Sequence, residues 1–236
     1  MTASASPRAN LDAIVARTRW LLLDFDGPIC SIYAGLPAQA VADQLRKLFT
    51  DQGIPLPDDV ASNPDPMQVF AYAGTISAGL AARVEAEMTD LEVMATNTAK
   101  PTPYIHDVLA ACRESSRAVA VVSNNSERAV RTYLVRHGLD DRVGPLFART
   151  SHDPALLKPS PHLIEKAVQA LNADPAATAL VGDSITDIEG ARLAGVASIG
   201  YANKTGKYER MTAAQAGAVV TTLADLALRL RARRLY

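Results

Sequence analysis

Trp20-Leu21-Leu22-Leu23-Asp24-Phe25-Asp26-Gly27 is the stretch on which the reading of this chain turns. Its apolar run predicts a strand over 20–25 that closes in two carboxylates and a glycine. Continuous rather than alternating hydrophobicity marks a strand covered on both faces, as in a parallel sheet. In open parallel sheets, ligands bind beyond the carboxyl ends of the strands, where the strand order reverses. Asp24 and Asp26 stand just past such an end, and Gly27 lets the backbone turn sharply there. Taken alone the pair is a weak signal, because aspartates also serve turns.

Further short apolar runs lie at 118–122, 179–181, 196–199 and 218–220. Between them, helix-period patterns occupy 104–112, 127–137, 161–171 and 187–194. That alternation predicts an α/β fold with a doubly wound parallel sheet. The rhythm breaks over 31–97, where no strand pattern occurs and helical patterns appear at 38–49 and 78–94. Gly53, Pro55, Pro57 and the turn Asn63-Pro64-Asp65-Pro66 separate the two. The expected organisation is a core of residues 1–27 and 100–236 with an all-helical domain, 28–99, inserted between them. Three basic and nine acidic residues fall in 27–99, against twenty-one and sixteen in the remainder. A solvated helical surface explains that imbalance, as does an acidic lid over a phosphate-binding core.

The whole chain has 236 residues, 48% of them hydrophobic and 21% charged, with a formal net charge of −1. This is the composition of an ordinary globular protein, with no global attraction to nucleic acid or to an anionic membrane. Cys30 and Cys112 form neither a disulfide framework nor a zinc site. Residues 1–19 hold no apolar stretch long enough to insert in a membrane, so the expected location is the cytoplasm. A monomer is compatible with all of this.

Three further strand ends carry chemistry. Ser123-Asn124-Asn125 follows a buried run and offers a hydroxyl and backbone amides, an anion site or simply a helix cap. Lys158 precedes Pro159, which restrains the loop that carries it. Gly182-Asp183-Ser184-Ile185-Thr186-Asp187 closes another strand and opens a helix. Four residues of turn and helix bring both its carboxylates to one side, where hard oxygen ligands suit Mg²⁺. Asp187 alternatively, or additionally, complements the helix dipole.

In this order, Asp-x-Asp, Ser, Lys and Gly-Asp-x-x-x-Asp, the chain resembles the haloacid dehalogenase superfamily over nearly its whole length. Asn124-Asn125, Lys158-Pro159 and the turn at 191–195 are similar to the phosphoglycolate phosphatase and β-phosphoglucomutase type, with a helical cap (C1) inserted after the first motif. The resemblance implies a phosphatase acting on a small phosphorylated metabolite through an aspartyl-phosphate. Asp24 is then the nucleophile, and Asp26 the acid and base. Asp24, Asp183 and the Asp26 carbonyl hold Mg²⁺, with Asp187 completing or orienting the shell. Lys158 neutralises charge, and Ser123 and Asn124 help to bind the phosphoryl oxygens. An aspartate at position 26 disfavours dehalogenation and carbon–phosphorus cleavage, and the latter would also need a cap lysine, for which Lys47 is the candidate. A phosphomutase shares every core motif and is the alternative. A non-catalytic phosphate-binding module is a more distant one.

Pro28 departs from the family pattern, where Thr or Val is usual, and removes a backbone donor at the entry to the insert. The acidic balance of 27–99 disfavours polyphosphorylated substrates. Arg46, Lys47, Phe49, Phe70, Tyr72 and Arg83 are candidates for facing a substrate from the insert, undistinguished by sequence. His106 and His152 read as exposed helix-start or loop residues, and Cys30 as a small buried thiol. Arg229, Arg231, Arg233 and Arg234 read as cations closing a final helix.

Overall fold

The apolar runs become strands of one sheet, and the registers of those strands decide where the polar residues after them meet. The computed structural model describes residues 7–232, with side chains from Asn10 onward. The first helix, α1 (Pro7–Arg17), leads into β1 (Trp20–Leu23). Then come α2 (Ala38–Thr50), α3 (Asp58–Ala61), α4 (Pro66–Ile76), α5 (Ala78–Ala95) and α6 (Ile105–Glu114) before the chain returns to the sheet as β2 (Ala118–Ser126). Strands and helices then alternate: α7 (Glu127–Arg136), β3 (Leu146–Arg149), α8 (His162–Ala170), β4 (Thr178–Gly182), α9 (Ile185–Leu193), β5 (Ala197–Tyr201), α10 (Lys207–Ala213), β6 (Ala218–Val220) and α11 (Leu223–Ala232). Arg233 and Arg234 lie outside the described residues.

All strands are parallel, in the order β3-β2-β1-β4-β5-β6. The order reverses at β1, the expected place for a ligand crevice. Leu23 is in register with Val121 of β2 and with Val181 of β4, so the three strands end side by side. Alternate residues feed opposite faces. Leu21, Leu23, Val119, Val121, Ala179 and Val181 join a cluster under α1, α6, α7 and α11, while Leu22, Ala120, Val122 and Leu180 join another. Both faces are covered, which explains the unbroken apolar runs.

The second cluster continues without a gap into the helical segment between β1 and β2, through Val41, Leu45, Phe49, Val69, Phe70 and Met88. The two chain crossings that connect this segment to the sheet run side by side. The Thr102 amide donates to the Ile29 carbonyl at 2.9 Å, and the Thr102 hydroxyl to the Gly27 carbonyl at 2.5 Å.

Several elements differ from the sequence expectation. β1 ends at Leu23, although Phe25 remains fully buried. β3 has no sequence counterpart, because it is a four-residue edge strand that pairs only with β2 and ends in an arginine. The Asn63–Pro66 turn is the start of a helix as well. Asp65 caps α4 by accepting from the Met67 amide at 2.9 Å, and Pro66 occupies the first helical turn, where a missing N–H is harmless. Among the described residues, no helix is long and apolar enough to cross a membrane.

Candidate active site

Asp24 leaves β1 at the point of strand reversal, its amide held by the Val181 carbonyl of β4 at 2.9 Å. That neighbour strand delivers Asp183 one residue beyond its end, and α9 delivers Asp187 from its first turn. Carboxylate oxygens of Asp24, Asp183 and Asp187 all lie within 4.8 Å of one another. Two glycines make the approach possible. A Cβ on Gly27, whose φ is +101°, would strike the Asp183 side chain, and a Cβ on Gly182 would strike Asp187.

Lys158 reaches this cluster from the loop before α8. Its Nζ donates to Asp24 Oδ1 at 2.8 Å, to Asp187 Oδ1 at 2.6 Å and to the Val122 carbonyl at 3.0 Å. The loop is fastened by Asn124, whose side-chain amide donates to the Lys158 carbonyl at 3.0 Å and accepts from the Lys158 amide at 2.8 Å. Asp187 caps its own helix and also faces the carboxylate cluster. One oxygen closes a capping box with Ser184 while the other faces Lys158.

The electrostatics follow from burial. Loss of water pushes the Asp24 carboxyl up to about 8; Lys158 opposes this, and Asp187 and Asp183 add to it. Burial, then Asp183, pushes Asp26 up to about 6, against the hydrogen bond from the Ile32 amide (2.9 Å) and the charges of Lys204 and Lys207. Burial disfavours the Lys158 ammonium, yet Asp187 and Asp24 outweigh it and raise the group above an ordinary lysine. Lys207 pairs with Asp183 through both its carboxylate and its carbonyl, and the Asn203 amide donates to the same carboxylate at 3.2 Å.

A cavity of about 210 Å³ opens over these groups. Asp24, Asp26, Asn124, Lys158, Asp183 and Asp187 line it from the sheet side, and Tyr33, Asp65, Pro66 and Met67 from the segment between β1 and β2. Ser123 is fully buried and is not in the lining; its hydroxyl accepts from the Asn125 amide at 3.2 Å and meets Asn125 Oδ1 at 3.3 Å. The cap of α7 is Ser126, because β2 runs on through Ser123-Asn124-Asn125.

None of Arg46, Lys47, Phe49, Phe70, Tyr72 and Arg83 lines the cavity. Phe49 and Phe70 are core, and Tyr72 stacks on Phe49 at 5.6 Å between ring centroids. Arg46 is buried, holding the Val60 carbonyl at 3.0 Å and Asp43 at 2.6 Å. Lys47 is exposed beside Gln44. His106 sits at the start of α6 against Arg142, and Cys30 is buried. Arg229 and Arg231 pair with Asp12 and Asp225, and with Asp107 and Glu114.

Sequence reading missed Tyr33, whose buried hydroxyl has no hydrogen-bond partner among the described residues, and Lys207. It also missed a buried pair behind the site. Arg149, at the end of β3, holds Glu92 of α5 through two nitrogens at 3.2 and 2.9 Å, and holds the Asn124 carbonyl at 2.6 Å. Glu92 in turn accepts from the Asn125 side chain at 3.0 Å and from the Ser126 amide at 2.8 Å. No local pattern announces these residues. The only available signal was an arginine closing an apolar stretch.

Comparison with known proteins gives the chain a family and a fold. Residues 18–195 match the family model described as haloacid dehalogenase-like hydrolase. A pyrophosphatase PpaX of Halalkalibacterium halodurans is 31% identical over 113 residues, which is 47% of this chain and 52% of the relative. A phosphoglycolate phosphatase of Vibrio vulnificus is 27% identical over 124 residues, 52% of this chain and 54% of the relative. The chain thus spans about half the length of these curated relatives. In fold, it is similar to a predicted phosphatase from Clostridium acetobutylicum (TM-score 0.70, 17% identity, 90% of this chain and 98% of that one). It is similar also to a haloacid dehalogenase-like family hydrolase from Streptococcus pneumoniae (TM-score 0.64, 15% identity, 90% and 98%).

Proposed function

Because the chain belongs to the haloacid dehalogenase-like hydrolases, we propose that it is a Mg²⁺-dependent phosphatase for small phosphomonoesters, working through a phosphorylated Asp24. The observation that carries this reading is the meeting of Asp24, Asp183 and Asp187 within 4.8 Å, with the Lys158 ammonium between two of them.

The donor set fits a hard divalent cation. It consists of carboxylate oxygens from three residues that lie within 4.8 Å of one another. Asp24, Asp183 and the Asp26 carbonyl would hold Mg²⁺, with Asp187 completing or orienting the shell. When bound, the ion supplies charge that offsets the meeting of carboxylate and phosphate. That repulsion is about 4 kcal/mol per charge pair at 4 Å and an effective dielectric of 20.

The residues then divide the work. Asp24 attacks phosphorus and the bond to the ester oxygen breaks, while Asp26 gives that oxygen its proton. A water next attacks the aspartyl-phosphate, Asp26 takes its proton, and phosphate and free Asp24 result. Burial of Asp26 favours the protonated form that the first step needs. Lys158 neutralises charge between Asp24 and the phosphoryl group, and Asn124 positions Lys158 besides facing the cavity. Ser123 is assigned to phosphoryl binding, which requires its hydroxyl to leave Asn125. Residues 28–99 serve as the cap, closing the cavity with Tyr33, Asp65, Pro66 and Met67. The small volume supports a small substrate.

A screen of small phosphomonoesters with and without Mg²⁺, with Asp24→Asn as the blank, tests the proposal. Mg²⁺-dependent phosphate release that is lost in the blank is the expected result. Isomer formation primed by a bisphosphate, without phosphate release, would move the reading to a phosphomutase. Inactivity across the panel would leave only the fold.

A further inference from the structure

A second cavity, of about 490 Å³, adjoins the first and shares Asp26, Asp65, Asp183 and Ser184 with it. Its remaining wall holds three cations from the segment after β5, namely Lys204, Lys207 and Arg210. Each carboxylate in that wall has at least one partner of its own. Asp183 carries Lys207, Asp26 accepts from the Ile32 amide, and Asp65 accepts from the Met67 amide. Lys204 and Arg210 are exposed and form no ion pair among the described residues; the Arg210 Nε donates only to the Gly206 carbonyl, at 3.3 Å. Lys204, which acts on Asp26 through its charge, and Arg210, neither of them in a salt bridge among the described residues, thus flank a roomy annex that opens on the reaction centre. Counter-charge on a substrate is the simplest thing to complete them.

Resting on the phosphatase reading, we infer that the substrate bears a second anionic group, held in this annex by Lys204 and Arg210. The acidic excess of 27–99 does not oppose this, because of its nine carboxylates only Asp65 lines the annex. A carboxylate and a second phosphate offer the same recognition chemistry, and both match a lysine point charge beside an arginine fork.

Three esters of one backbone size test the inference: ethyl phosphate, 2-phosphoglycolate and ethylene glycol bisphosphate. Wild type should prefer at least one charged member over ethyl phosphate by about tenfold in kcat/KM, as one or two charge-assisted hydrogen bonds at a part-exposed rim provide. The preferred member identifies carboxylate or phosphate. In Lys204→Ala/Arg210→Ala the preference should fall toward unity, with the lost discrimination appearing in KM. Added salt should shrink the wild-type preference. Equal kcat/KM for all three esters in wild type, or an equal loss on all three in the variant, overturns the inference. Should no ester be hydrolysed, the phosphatase reading is what fails. Calorimetric binding of the same three compounds to the wild-type chain then decides the annex, and equal affinities would overturn it. Both side chains are exposed, and circular dichroism with a melting curve verifies that the variant folds; Lys204→Gln/Arg210→Gln serves if it does not.

Discussion

Two buried charge clusters stand back to back in this molecule, and they differ in one decisive respect. Around Arg149 the charges match their surroundings. The guanidinium meets Glu92 through two nitrogens, Glu85 at 3.2 Å and the Asn124 carbonyl, while Glu92 fills its remaining capacity with Asn125 and Ser126. Around Lys158 they do not. Three carboxylates converge, one lysine divides itself between two of them, and the cluster opens into a cavity. Complete pairing of the buried groups yields a clamp, here between α5 and the ends of β2 and β3. Surplus charge facing an open space yields a place where another charged species belongs.

The sharpest way to break the comparison is to remove one carboxylate from the unbalanced cluster. Asp24→Asn should lower phosphate release at least about a thousandfold, as for an essential nucleophile. Its melting temperature should hold or rise, because a carboxyl that burial, and then Asp187 and Asp183, make costly to ionise is gone. Turnover within tenfold of wild type would take Asp24 out of the reacting atoms. Asp26→Asn should follow, at about a hundredfold or more in kcat, with Mg²⁺ affinity by titration little changed. A rate close to wild type would make the acid–base assignment wrong.

The balanced cluster should answer in stability instead. Glu92→Ala leaves the Arg149 charge buried beside it short of a partner, and a loss of about 3–5 kcal/mol in denaturant unfolding is expected. Replacing both partners by Leu and Met should recover most of that loss. If the single variant unfolds like wild type, the clamp is not one. At the small end, Arg128 and Asp90 bridge α7 and α5 on the surface, both more than half exposed. Arg128→Ala should change stability by less than about 1 kcal/mol, and a larger loss would mean that surface pairs also hold these helices together.

The difference between the clusters also explains what could be read from the sequence. Asp24 and Asp183 follow buried strands, and the rules of parallel sheets say what a polar residue at a strand end is for. Asp187 stands in the helix turn that follows, whereas Lys158, expected at a strand end, stands in the loop between β3 and α8. Glu92 lies in the last turn of a helix and Arg149 at the end of an edge strand, positions at which charged residues are ordinary. Their partnership spans 57 residues and has no local signature. The same holds for Arg46, legible as a surface or pocket cation but in fact tied to the carbonyls of Val60 and Asn63. Ser123 illustrates the opposite limit. Its place at the end of a buried run was legible, while the continuation of β2 to Ser126, which turns its hydroxyl to Asn125, was not.

What the sequence determined by itself is the α/β class, the strand ends and the residues standing on them, because hydrophobic periodicity and turn chemistry are properties of neighbours along the chain. Only the tertiary structure decided which ends adjoin, that Lys158 lies between Asp24 and Asp187, and that Lys204 and Arg210 flank the same crevice. Those facts depend on strand order and register, which are set by packing between segments that no window of sequence contains.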